Sequence, residues 1–180
     1  MTWSRIARRV RVPLGFALAA VYLGLARPTL GSIAVGLALS VAGLVIRGYA
    51  SGYVRKNEEL ATTGPYAYTR NPLYLGSIII AAGFALAARS WIMAVFLLGM
   101  FLAIYLPVIR GEEEFLRQRF PEFGEYERRV PRLLPRLPAW SSGRGSFSWS
   151  LYRQHREYNA LAGTLAIVAV LIAKLWWLSR

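Results

Sequence analysis

The chain has 180 residues, 56% of them hydrophobic, carries a formal net charge of +13 and contains no cysteine. Without cysteine there is no disulfide framework, thiolate nucleophile or thiolate metal site, and so apolar a chain of this size leaves too little polar surface for a soluble domain. The charge does not point to nucleic acid: four basic residues fall in 1–12, four in 47–72 and ten in 110–159, and those segments also hold all nine acidic residues.

Only Arg27, Arg89, Lys174 and Arg180 lie elsewhere. Alternating spans place the three charged segments on one side of a membrane, the positive-inside pattern, with an attraction for anionic headgroups added. Residues 1–12, with Trp3 and four arginines, read as a basic interfacial approach. Span one is expected over 12–26, short for a hydrocarbon core of about 30 Å. Without a small-residue cleavage site after it, it reads as a retained span rather than a leader. Arg27-Pro28-Thr29 is an outside turn, since proline stops a helix. Span two follows over 30–54 with Arg47 near its inner end, and Gly48 and Gly52 form a G-x-x-x-G pair expected to pack closely against a helix.

Residues 55–72 are an inside loop, 73–88 a third span, Arg89-Ser90 an outside turn and 91–109 a fourth span. Pro107 is expected to kink its inner end, and Gly111 to redirect the chain. From 110 to 137 the pattern becomes amphipathic, with Phe115, Leu116, Phe120, Phe123 and Tyr126 at helical spacings and a break at Pro121. Residues 138–159 read as a linker or interfacial tether, with Trp140, Phe147 and Trp149 as headgroup anchors. A fifth span occupies 160–178, where Lys174 is expected to snorkel outward. The fold class is therefore an all-α polytopic membrane protein of about five helices. Its domains are a membrane core over 1–137, a linker over 138–159 and an added helix over 160–180.

Three groups of residues carry chemistry. The loop Gly64-Pro65-Tyr66-Ala67-Tyr68-Thr69-Arg70-Asn71-Pro72-Leu73-Tyr74 crowds two turn signals, three tyrosines and an arginine between apolar runs. Singly, each serves as a turn former or headgroup anchor; that many in one loop also suits a site. Glu112-Glu113-Glu114 reads either as a solvated helix segment with Arg117 as partner or as a cation site at a low-dielectric boundary. Tyr126, Arg128, Arg129 and Arg132 form a basic aromatic cluster suited to headgroups or to clamping a carboxylate. The lone His155 reads as a surface residue, and no metal-ligand spacing is present.

Taken jointly, Gly64, Tyr66, Arg70, Asn71, Pro72, Tyr74 and Gly76 before a helical hairpin, and Glu112, Glu113, Leu116, Phe120, Tyr126, Val130 and Pro131 after it, carry a resemblance. The pattern resembles the isoprenylcysteine carboxyl methyltransferase and phospholipid methyltransferase superfamily of membrane enzymes, over about residues 45–137. The resemblance implies S-adenosylmethionine as cofactor and a lipophilic acceptor with a carboxylate or amine head, methylated at the cytoplasmic face of a bacterial inner membrane. It implies Arg70 and Glu113 nearest the transfer. Gly64, Pro65, Tyr66, Asn71, Pro72, Tyr74 and Glu112 then bind the cofactor, and Tyr126 and Arg129 the acceptor. Asn71 stands where eukaryotic members have histidine, and an amide cannot titrate near neutrality. Partners are the lipophilic substrate and membrane lipids, not nucleic acid. The alternatives are a nicotinamide-dependent membrane reductase and a non-enzymatic lipid-binding protein.

Overall fold

Apolar runs in lipid must satisfy their backbone polar groups within the segment, so they become helices. The computed structural model describes residues 17, 20–55, 58–137, 139–140 and 145–179, and no strand occurs among them. The expected basic approach in 1–12 and most of span one lie outside the described residues. Helix α1 is described over residues 20–25. Then come α2 (Leu30–Ser51), a short 3₁₀ helix (Gly64–Ala67), α3 (Pro72–Ala88) and α4 (Trp91–Arg119). After Pro121 follow α5 (Phe123–Arg129), α6 (Trp149–Gln154) and α7 (Tyr158–Leu178). Helices α2, α4 and α7 are long and apolar enough to cross a membrane, and α3 is a shorter apolar helix of 17 residues. The protein is an all-α integral membrane protein.

Thr29 starts α2 through a capping box with Ser32, which satisfies two otherwise orphaned backbone donors. Antiparallel α2 and α3 then meet along small residues. A Cβ on Gly36 would lie 2.4 Å from the Gly83 carbonyl oxygen, and one on Gly43 would lie 2.6 Å from that of Gly76. Ser40 sits between, fully buried, and donates to the Gly36 carbonyl at 2.8 Å. The close helix contact thus falls to glycines seven residues apart. The expected pair, Gly48 and Gly52, instead faces the rings of Tyr152 and Phe147.

Two other expectations give way. Helix α4 runs without interruption through Gly111 for 29 residues, about 43 Å at 1.5 Å per residue, well beyond a 30 Å core. Pro107 is accommodated by a π turn over Phe101–Tyr105, where the Leu106 amide bonds the Phe101 carbonyl just before the proline. Lys174 does not turn outward but caps α1, donating to the carbonyls of Leu23 at 2.5 Å and Gly24 at 3.1 Å. Leu171, fully buried with Ala26, Ile33 and Met93, ties α7 into the same end of the bundle.

Candidate active site

The site begins with backbone. Gly64 has φ +57, and a Cβ there would sit 2.7 Å from the Tyr53 ring, so only glycine turns the chain at this point. Pro65 follows at the start of the 3₁₀ helix, and Pro72 occupies the first turn of α3, where a missing N–H costs nothing. Between them the loop is stitched to the segment after α5. The amides of Arg70, Arg136 and Trp140 donate to the carbonyls of Pro131 at 2.9 Å, Tyr68 at 3.0 Å and Ala67 at 2.9 Å. The Tyr126 hydroxyl donates to the Tyr66 carbonyl at 2.8 Å. The two sequence motifs, nearly forty residues apart, thereby become one surface.

Because α4 stays helical past Gly111, its three glutamates point in different directions. Glu113 is 3% exposed, while Glu112 and Glu114 face outward. One Glu113 oxygen accepts from Arg132 Nε at 2.9 Å and Nη2 at 2.7 Å. The other accepts from Asn71 Nδ2 at 3.1 Å and lies 3.6 Å from Arg70 Nη2. Arg70 also donates from Nη1 to Glu127 at 2.8 Å, and Glu127 accepts from Arg117 at 2.7 Å. Arg70 Nε is buried without a hydrogen-bond partner. Burial alone would raise the Glu127 carboxyl, but hydrogen bonds from Arg117 and Arg70 outweigh it and hold the group below its ordinary value. Burial pushes the phenols of Tyr66 and Tyr126 well above their ordinary value, so both stay protonated donors.

Beside this network lies a cavity of about 640 Å³, within the range of small-molecule sites, about 300–1,000 Å³. Its wall includes Tyr66, Arg70, Asn71, Pro72, Tyr74, Glu112, Glu113 and Tyr126, eight of the eleven residues singled out from sequence. Gly64 and Pro65 shape the loop without lining the cavity. Arg129 lies outside it, exposed, paired with Glu125 at 3.0 Å and 5.5 Å from the Trp140 ring centre. Sequence reading passed over Glu127 as a partner, although its place in the second motif beside Tyr126 marks it, and over Arg47, Ser77 and Glu157, which no local pattern marks. Tyr74 donates to Glu112 at 3.0 Å on the cavity rim. A second cavity of about 910 Å³ runs between α3 and α4, lined largely by apolar side chains such as Ala81, Ala85, Leu97 and Phe101. Tyr74, Ser77 and Tyr105 belong to both walls.

A charged cavity thus lies at the mouth of the α3–α4 hairpin of a helical membrane bundle and adjoins an apolar groove. The chain belongs to the phospholipid methyltransferase family, whose model matches residues 19–122. The cobalt-zinc-cadmium resistance protein CzcN of Cupriavidus metallidurans is 37% identical over 159 residues, covering 83% of this chain and 71% of that protein. The nickel-cobalt-cadmium resistance protein NccN of Alcaligenes xylosoxydans xylosoxydans is 40% identical over 114 residues, 63% of this chain and 52% of that one. The protein-S-isoprenylcysteine O-methyltransferase of Schizosaccharomyces pombe is 23% identical over 143 residues, 76% of this chain and 60% of the yeast protein. No solved structure matches the chain.

Proposed function

We propose that the protein transfers a methyl group from S-adenosylmethionine to the carboxylate or amine head of a lipophilic acceptor, at the cytoplasmic face of a bacterial inner membrane. The observation that carries this is the shared wall: a charged cavity and an apolar groove meet at Tyr74, Ser77 and Tyr105. The cavity residues fit the cofactor's groups. Arg70 Nε, a buried donor without a partner, calls for an oxygen acceptor. Glu112 on the rim suits an ammonium, and the rings of Tyr66 and Tyr74 suit an adenine or sulfonium.

When bound, the cofactor supplies an electrophilic methyl group on a positively charged sulfur. The protein's part is alignment and exclusion of water. Glu113, with both oxygens taken by Arg132 and Asn71, fixes the α3 entrance against α4 and holds Arg70 in place. Asn71 donates an amide hydrogen bond and takes no proton, so it cannot be the base that an amine head would need, while a carboxylate head needs no base. The family match favours this reading over a nicotinamide reductase. The metal-resistance role named in the bacterial relatives would then be indirect, through a methylated membrane component. Among the described residues no three His, Cys, Asp or Glu gather to hold a metal ion.

Calorimetric titration of the purified protein with S-adenosylhomocysteine tests the reading. Saturable binding, weakened at least tenfold by Arg70→Ala, is expected. No binding by the unsubstituted protein, with or without added membrane lipid, sinks it.

A further inference from the structure

The chain after residue 122, beyond the family match, folds back onto the site rather than trailing away from it. The Ser148 amide donates to the Gly52 carbonyl at 2.9 Å, Phe147 covers Gly52, and Tyr152 covers Gly48. A left-handed residue, Arg156 (φ 53), then turns the chain and delivers Glu157 to the start of α7. The Glu157 side chain is 10% exposed and lies in the cavity wall. Its two oxygens accept from Arg47 Nε at 3.0 Å and Nη2 at 2.9 Å, a bidentate fork. The remaining terminal nitrogen of Arg47 donates to the Leu73 carbonyl at 3.2 Å and to the Ser77 hydroxyl. Ser77 is one of the three residues common to the charged cavity and the apolar groove.

From this chain of contacts we infer that Glu157 is a positioning residue of the site. Through Arg47 it holds Ser77 and the first turn of α3, and so maintains the partition between the aqueous cavity and the lipid-facing groove. This rests on the methyltransferase reading for the groove's role as the acceptor's entrance. The physical reason is that Arg47 is only 23% exposed, and a guanidinium so placed keeps its geometry only while its carboxylate partner is present. Without Glu157, Arg47 turns to water, Ser77 loses its donor, and water gains the groove. The C-terminal helix therefore completes the site.

The absence of cysteine makes this testable with one introduced thiol. Ala81→Cys places it in the groove wall, one helical turn beyond Ser77. The full-length protein is placed in lipid nanodiscs, and the rate at which a permanently cationic methanethiosulfonate forms a mixed disulfide with the thiol, releasing methanesulfinate, is timed. Adding Glu157→Ala is expected to speed the reaction at least tenfold, Glu157→Gln to speed it several-fold, and Glu157→Asp to leave it within about threefold of the Glu157 parent. S-adenosylhomocysteine affinity and melting temperature are followed in the same samples. Equal rates in all four proteins overturn the inference, as does a faster reaction in the aspartate variant than in the glutamine one. Parallel loss of cofactor affinity and melting temperature in every variant also overturns it, in favour of a general structural role. Should the alanine variant fail to fold, the glutamine–aspartate comparison decides. Failure of the Glu157 parent to bind S-adenosylhomocysteine refutes the methyltransferase reading instead, while the thiol modification rates still report on the partition.

Discussion

Replacing Glu113 with glutamine keeps its shape and removes its charge. The amide can still accept from Arg132, but its NH₂ then faces Asn71 Nδ2 and Arg70 Nη2, donor against donor. Breaking a buried ion pair costs about 3–5 kcal/mol because the partner is left uncompensated. Arg70 is 8% exposed and keeps Glu127, while Arg132 is 36% exposed and recovers part of its loss from water. The cost should therefore fall near the low end, about 3 kcal/mol. At about 2–4 °C per kcal/mol for a chain of this length, the melting temperature drops by about 6–12 °C. Circular dichroism of the protein in detergent measures it. Combining Glu113→Gln with Arg132→Met should recover part of the sum, a coupling of about 1–3 kcal/mol. A shift below about 2 °C, or additive single effects, would refute the claim that this network holds α3, α4 and the segment after α5 together.

Other outcomes follow from the same geometry. Gly43→Ala forces a methyl to 2.6 Å from the Gly76 carbonyl and should cost about 1–3 kcal/mol, whereas Gly48→Ala meets only the edge of the Tyr152 ring at 3.4 Å and should melt like the parent. Tyr126→Phe strips the Tyr66 carbonyl of its buried donor and should cost about 1–3 kcal/mol by the same measurement. Glu127 has a folded pKa below its ordinary 4.5, so its contribution is present above that value and is lost as pH falls through the folded one. Glu127→Gln should therefore lower the melting temperature at neutral pH and flatten its decline below about pH 5. Arg129→Ala, at an exposed residue outside the cavity, should change stability by no more than about 0.5 kcal/mol and leave S-adenosylhomocysteine affinity unchanged.

Residue types and periodicity carry the membrane class, the order of the spans and the crowded loop, because each depends on near neighbours. The starts of α2 and α3 were readable within a residue or two, since proline and threonine act on the adjacent turn. The end of span four was not. Glycine at 111 permits a bend without requiring one, and in the fold the helix continues, with Glu113 bonded to Asn71 and Glu112 to Tyr74. Likewise Gly48 and Gly52 have the spacing of a packing motif, yet which glycine meets a helix depends on where α3 lies.

The sequence by itself determined that this is a helical membrane protein, since burial in lipid depends on composition and run length. It also brought eight of the eleven chosen residues to one cavity, because two motifs flanking one hairpin must return to the same face. Only the tertiary structure decided which glutamate is buried, that Arg132 engages it, and that Glu157 joins from the far end of the chain. A charge 110 residues from Arg47 leaves no local signature, because an ion pair is specified by where two helices meet.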